Sequence, residues 1–399
     1  MNKKFIVMAA FAAFGLAFTA CSNNDEIDGG GGGDTPIVKE LAIGYNINLE
    51  KSGSTRGAET TLATLEQDGK TFMVWGHYAT DATNPGALYV GTSSTVGTII
   101  EYDGTATAWD YQTAADKKMW PAADQKLNFQ AVTPYDAGTI FNSPAVADEV
   151  AVSAVGMTYT APTAVASQKD VLFGHAESMT YATSASDVPI AFEHALSQIA
   201  FTGKVNAEGI VATIKSVKVH NAKTTADIGY IGTVTGQHRA LGVTTGKKDG
   251  TDYTAVDDYA IKTVSGADVV LSSTTAAPLS DTTDGMLMMV PQSGATAWQT
   301  TTTPKTTAAA DIDGETYLEV ECKITNNGTY VLGSASAYGK VYIPFTIAWS
   351  PKTKYTYLLN FGTGSGGYDA DGNPMMSYIT FSLAAFEAWT DGGSTEYKF

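Results

Sequence analysis

Val341-Tyr342-Ile343-Pro344-Phe345-Thr346-Ile347-Ala348-Trp349, a polar break from Ser350 to Thr353, and then Tyr355-Thr356-Tyr357-Leu358-Leu359-Asn360-Phe361 decide the fold class of this chain. Val341, Ile343, Phe345, Ile347 and Trp349 alternate with other residues, and Tyr355, Tyr357, Leu359 and Phe361 do the same. A period of two belongs to β-strands, whose successive side chains point to opposite faces. The two runs and the turn between them predict a hairpin with one face in a core.

The same period recurs along the chain. Leu41, Ile43, Tyr45, Ile47 and Leu49 form a first strand that runs into the polar loop Ser52-Gly53-Ser54-Thr55-Arg56-Gly57. Further strands are predicted over 71–78, 127–132 and 170–173, and Met286 to Val290 reads as a strand buried on both sides. Leu318, Val320, Cys322 and Ile324 share the inward face of one strand, which makes Cys322 a buried small hydrophobe. The stretch Val188 to Phe201 is ambiguous, because Phe192, Leu196 and Ile199 fit helical spacing while Ile190 and Phe192 could open a strand. Forty glycines and twenty tyrosines, with little that resembles a long helix, complete the picture of an all-β protein rich in turns. At 399 residues there is room for two sandwich domains. The boundary is placed near residue 185, giving an N-terminal domain over 37–185 and a C-terminal domain over 186–399.

The first residues carry an address. Lys3 and Lys4 precede an uncharged apolar run from Phe5 to Ala20, which ends Phe18-Thr19-Ala20-Cys21. This is an export signal over 1–20 closed by a lipobox, so Cys21 is expected to become the mature N-terminus and to carry acyl chains such as palmitate. Residues 21–36, acidic and then glycine-rich from Gly29 to Gly33, form a flexible tether. With Cys21 acylated, Cys322 is the only remaining thiol and no internal disulfide can form.

A net charge of −17 repels nucleic acid. Neither a catalytic constellation nor a cofactor or metal site is legible. Gly362-Thr363-Gly364-Ser365-Gly366-Gly367 follows a strand but leads to no helix, so it reads as a turn and not a phosphate cradle. Asp369, Asp371 and Asn373 have the opening spacing of a calcium loop, yet Gly372, Pro374 and the absence of a distal glutamate make them an ordinary turn. The five histidines, His77, His175, His194, His220 and His238, show no paired metal spacing, and His175 and His194 read as hydrogen-bonded structural residues.

Several segments, in order, resemble the fimbrillin family, the pilin-like lipoproteins of type V pili. They are Trp109; Met119-Trp120-Pro121 leading into Leu127 to Pro134; Asp170 to Ala176; Val188 to Phe201; Met288-Met289-Val290-Pro291-Gln292; Trp349 with Tyr355-Thr356-Tyr357; and Trp389-Thr390-Asp391. The resemblance implies two tandem β-sandwich domains of transthyretin-like topology and a lipidated precursor. It also implies cleavage after an arginine behind the first strand, followed by strand exchange with a neighbouring subunit. Only two arginines exist, Arg56 and Arg239, and Arg56 lies in the loop behind the first strand, so the expected cut falls between Arg56 and Gly57.

The expected function is therefore a non-enzymatic pilus subunit at the outer membrane and cell surface. Its partners would be other subunits, an Arg-specific protease, the membrane through the lipid, and host or bacterial surface ligands in adhesion. The first strand, within 37–56 and carrying Leu41, Ile43, Tyr45, Ile47 and Leu49, is the removable one. The candidate donor is 377–399, with Ile379, Phe381, Leu383, Trp389, Tyr397 and Phe399, and the competing reading of that segment is a permanent edge strand. An alternative is a monomeric or tip-located surface lipoprotein binding glycan or host protein through exposed aromatics such as Trp109 and Tyr111. A surface glycan hydrolase ranks last.

Overall fold

The computed structural model describes residues 41–49, 60–79, 85–93, 96–121, 125–134, 141–145, 156–181, 187–231, 240–245, 247–248, 251–252, 256–262, 266–280, 286–293, 296–298, 315–362, 367–375 and 379–388. Cys21, Arg56, Gly57, Trp389, Tyr397 and Phe399 lie outside the described residues, as do the tether and the boundary stretch 182–186. The principal strands are β1 (Tyr45–Leu49), β2 (Thr71–Ala79), β3 (Pro85–Val90), β4 (Thr98–Asp103), β5 (Ala108–Tyr111), β6 (Leu127–Thr133), β7 (Phe141–Ala145), β8 (Gly156–Thr160), β9 (Leu172–Met179) and β10 (Val188–His194). They continue with β11 (Ser197–Val205), β12 (Ile210–Lys223), β13 (Thr225–Ile231), β14 (Ala240–Thr245), β15 (Val256–Lys262), β16 (Leu287–Met289), β17 (Glu315–Asn326), β18 (Gly339–Pro344), β19 (Thr353–Phe361) and β20 (Ile379–Ala388). The protein is all-β. The short α-helix Leu62–Leu65 is held at its start by Thr61, whose hydroxyl accepts the Thr64 N–H while the Thr64 hydroxyl accepts the Thr61 N–H.

The eight-stranded sheet runs β3-β2-β4-β5-β1-β10-β9-β6, and β6 pairs again with β2. That last pairing closes seven of the strands into a ring. Tyr45, Phe72, Leu127, Phe129, Leu172, Ile190 and Phe192 fill it, each 2 % exposed or less. Most alternate residues on these strands are apolar, and closure buries that face.

The second core lies between a five-stranded sheet, in which β11 and β20 flank β19, and a nine-stranded sheet whose main path runs β15-β12-β17-β18. Phe201, Leu359 and Phe361 from the first sheet and Ile214, Val320, Cys322 and Ile343 from the second share it. Burial pushes the Cys322 thiol up to about 12, so it stays protonated and inert, as expected of an inward strand position. A four-stranded sheet takes β7 and β8 from before residue 185 and β13 and β14 from after it.

The hairpin expected from Val341 to Phe361 does not form. β18 pairs with β17 in the nine-stranded sheet, whereas β19 pairs with β11 and β20 in the five-stranded one. β18 stops at Pro344, which has no N–H to donate to a ladder, and the chain then crosses the core through buried Phe345, Ile347 and Trp349. The alternation was a true sign of burial, since both runs face one core. The ambiguous stretch resolves as two strands, β10 and β11, and the strand expected at 170–173 begins at Leu172 and runs on to Met179.

Candidate functional site

The first strand sits in the narrowest seam of the ring. β1 runs parallel to β10 over five residues, from Tyr45 opposite Val188 to Leu49 opposite Phe192. On its other side only Tyr45 pairs with β5, opposite Trp109. Just before the strand, the Ile43 N–H donates to Lys118 O (2.8 Å) and the Trp120 N–H to Leu41 O (2.9 Å). β-Branched and aromatic residues on one face and Asn46 and Asn48 on the other suit a half-buried strand. Ile43, Tyr45, Ile47 and Leu49 are each 6 % exposed or less, and Leu41 is half-buried against the same core.

Tyr45 is the anchor. Its ring meets Phe72 (6.0 Å), Tyr111 (5.7 Å) and Phe129 (6.0 Å) edge-on, a favoured geometry for aromatic pairs. Its hydroxyl lies 3.4 Å from that of Tyr111. Burial raises both phenols above their ordinary range, so neither carries charge near neutrality. Truncating such a side chain leaves a hole that its neighbours cannot close. Tyr45→Ala is expected to lower the stability of the uncut chain by about 3–5 kcal/mol, read as a shift of the first transition in urea. A shift below about 1 kcal/mol would mean that the seat does not depend on this residue.

Trp109 and Tyr111, expected to be exposed, are instead 8 % exposed each and line this core. On β5 they fall at alternate positions, both inward, so their spacing marks burial and not a binding surface. The Trp109 and Trp120 indole N–H groups have no hydrogen-bond partner with the first strand in place.

Both ends of the segment 50–59 are tied to one end of β10. Leu49 is opposite Phe192, and the Thr60 N–H donates to Asp170 Oδ2 (2.9 Å). Asp170 also meets His194 Nδ1 at 2.9 Å, with both side chains buried. His194 thus has the structural role expected of it. Thr60 and Asp170 are 110 residues apart, and nothing in the sequence links them.

At the other terminus β20 lies along β19, with Ile379 opposite Phe361, Phe381 opposite Leu359 and Leu383 opposite Tyr357. Ile379 is fully buried. Of the remaining motifs, the Asp369 carboxylate accepts the Asp371 and Asn373 N–H groups (2.9 Å each) and the Asn373 side-chain amide (3.1 Å). These bonds, the Asn373 side chain foremost, hold it below the usual carboxylate range. Three of its roughly four lone-pair sites are thus spent inside its own turn. Among the described residues no His, Cys, Asp and Glu grouping could hold a metal ion, and no helix is long and apolar enough to cross a membrane.

Comparison with known proteins gives the following. A fimbrial protein from Bacteroides vulgatus ATCC 8482 superposes with a TM-score of 0.49 at 15 % identity, over 88 % of this chain and 99 % of its own. A fimbrilin from Porphyromonas gingivalis W83 does so with a TM-score of 0.39 at 11 % identity, over 85 % and 95 %. No curated protein sequence matches. The fimbrillin-like family profile matches residues 55–372, most of the chain, and the protein therefore belongs to the fimbrillin-like family.

Proposed function

We propose that the chain is a structural subunit of a cell-surface type V pilus that supports adhesion. It is exported as a lipoprotein on Cys21, cut after Arg56, and joined to its neighbours by strand exchange. The observation that carries this reading is the seat of β1: five residues of ladder on one side, one pair on the other, and a core face of four buried side chains. Each such side chain is worth roughly 1.5–3 kcal/mol, so a vacated seat is strongly driven to refill. An incoming strand restores the ladder and can bring acceptors to the two indole N–H groups that the resident strand leaves unpartnered. The chemistry asked of the chain is packing and pairing. No catalytic group is assigned.

The experiment is competition. Protein cut at Arg56 should form ladders on a non-boiled gel, and a synthetic peptide of residues 41–49 in excess should cap the acceptor and shorten them. Ladders unaffected by the peptide would overturn strand exchange at this seat. The anchor is tested separately. Cys21→Ala should lose labelled palmitate and appear in the medium, and label retained on that variant would remove Cys21 from the scheme.

A further inference from the structure

The ring has two ends, and they differ. Strand direction gathers the C-terminal ends of β2, β5 and β9 and the N-terminal ends of β1, β6 and β10 at one of them, and the opposite termini at the other. At the second end Leu49 stands opposite Phe192, and just beyond it the chain leaves β10 through Ala195 and Leu196, both members of the second core, and enters β11. Lys352, in the turn before β19, fastens this junction: its Nζ pairs with Glu193 Oε1 (2.5 Å) and its N–H donates to Leu196 O (3.1 Å). The Leu49 end of the seat of β1 therefore abuts the molecule's own second core. The Leu41 end does not. There the bonds of Leu41 and Ile43 to Trp120 and Lys118 bring Met119 to the rim, where it is 38 % exposed and its carbonyl accepts the Tyr89 hydroxyl (2.7 Å). The Tyr89 ring packs 5.1 Å from that of Tyr78 at the end of β2. Tyr78 stands opposite Leu127, which in turn stands opposite Met179 at the end of β9. Tyr78, Tyr89 and Met179 are each half-buried against the ring's core, so this rim is aromatic and apolar.

We infer that this rim is the face on which a second copy of the chain docks when its strand takes the seat, and that the incoming strand runs parallel to β10, as β1 does. The inference rests on the strand-exchange reading above. A donor segment that follows β20 arrives with a folded body behind it, and that body cannot stand at the Leu49 end without displacing the second core. The residues nearest β20 therefore lie at the rim, and those further along run toward Leu49. Release of the residues up to Arg56 also takes away Leu41, which packs against the same core, and so leaves Tyr78, Tyr89 and Met119 more open than in the uncut chain. Aromatic and methionine side chains are the ones enriched at protein interfaces. Seat and rim then form one continuous contact, with the ladder inside the ring and the apolar collar around its entrance.

The test uses the full chain carrying Cys21→Ala and cut after Arg56. Met119→Glu places a charge on the rim. This variant should capture a synthetic peptide of residues 41–49 as the unmodified seat does, yet form ladders at least about tenfold more slowly, because a docked copy would bury the charge unpaired. Ladders at the full rate would overturn docking at the rim. Cysteines report the polarity, since Cys322 is buried and inert. Ser394 and Lys398 lie about 13 Å apart on an extended strand, too far for both to reach one fixed partner through a disulfide. Mild oxidation should join neighbouring subunits in ladders of the Met119→Cys/Ser394→Cys chain and not in those of the Met119→Cys/Lys398→Cys chain. Equal or better cross-linking through Lys398→Cys, or none through either, would overturn the parallel placement. If Met119→Glu fails to capture the peptide, the cross-links decide alone. A cut but otherwise unmodified chain that neither captures the peptide nor polymerises refutes strand exchange itself, whereas capture of the peptide with either of the negative results above removes this inference and leaves the seat standing.

Discussion

Arg56→Ala is expected to stop polymer growth outright while the protein remains folded and lipidated. Releasing β1 exposes Ile43, Tyr45, Ile47 and Leu49, a cost of roughly 6–12 kcal/mol at 1.5–3 kcal/mol each, before any ladder bond is counted. In the uncut chain the strand is also tethered. Residues 50–59 are held at one end by β1 on β10 and at the other by Thr60 on the buried Asp170 and His194 pair. A short tether keeps the strand at an effective concentration on the order of millimolar, so it returns to its seat faster than another subunit can reach it. Cleavage after Arg56 removes that advantage and leaves residues from Thr60 onward pinned where they were. The measurement is a non-boiled gel of protease-treated samples, with N-terminal sequencing of the early product, which should begin at Gly57. Arg56→Lys, which trypsin still cuts, should restore ladders in trypsin. Ladders from Arg56→Ala as abundant as from the unmodified chain would show that release of β1 does not depend on this bond.

Much of this was legible because burial in a sheet writes itself as alternation. Leu41 to Leu49, Leu318 to Ile324 and Tyr355 to Phe361 each announce one buried face, and the structure buries those faces. What alternation cannot write is the partner. Val341 to Pro344 and Tyr355 to Phe361 face one core, yet they belong to opposite sheets, because a two-residue period fixes the face and not the neighbour. The period also fails to separate a core aromatic from a binding aromatic, and so Trp109 and Tyr111 were expected on the surface. The Thr60, Asp170 and His194 contact brings together residues distant in sequence. Only the folded topology, with its closed ring, makes them neighbours.

Deleting Thr390 to Phe399 should leave a folded, lipidated subunit that cannot donate a strand. β20 pairs with β19 from Ile379 opposite Phe361 to Ala388 opposite Thr353, so the deletion begins beyond the last paired residue and spares the sheet. Peeling β20 itself away would strip that ladder and uncover Ile379, which makes its detachment costly. The aromatic residues Tyr397 and Phe399 are removed, Trp389 is kept, and Gly392 and Gly393 go with the hinge they would provide. The two ends of a polymerising subunit then separate in one experiment. Once cut at Arg56, the truncated chain still has an empty seat and can accept a strand, but it has none to offer. Alone it should stay monomeric, and mixed with the full-length cut chain it should sit at the end of each polymer and shorten the ladder in proportion to its share. If the truncated chain alone forms ladders as readily as the full-length one, the donor lies elsewhere. Should it neither polymerise nor shorten the ladders of its partner, the deletion has damaged the seat as well, and circular dichroism with a urea transition will show that loss directly.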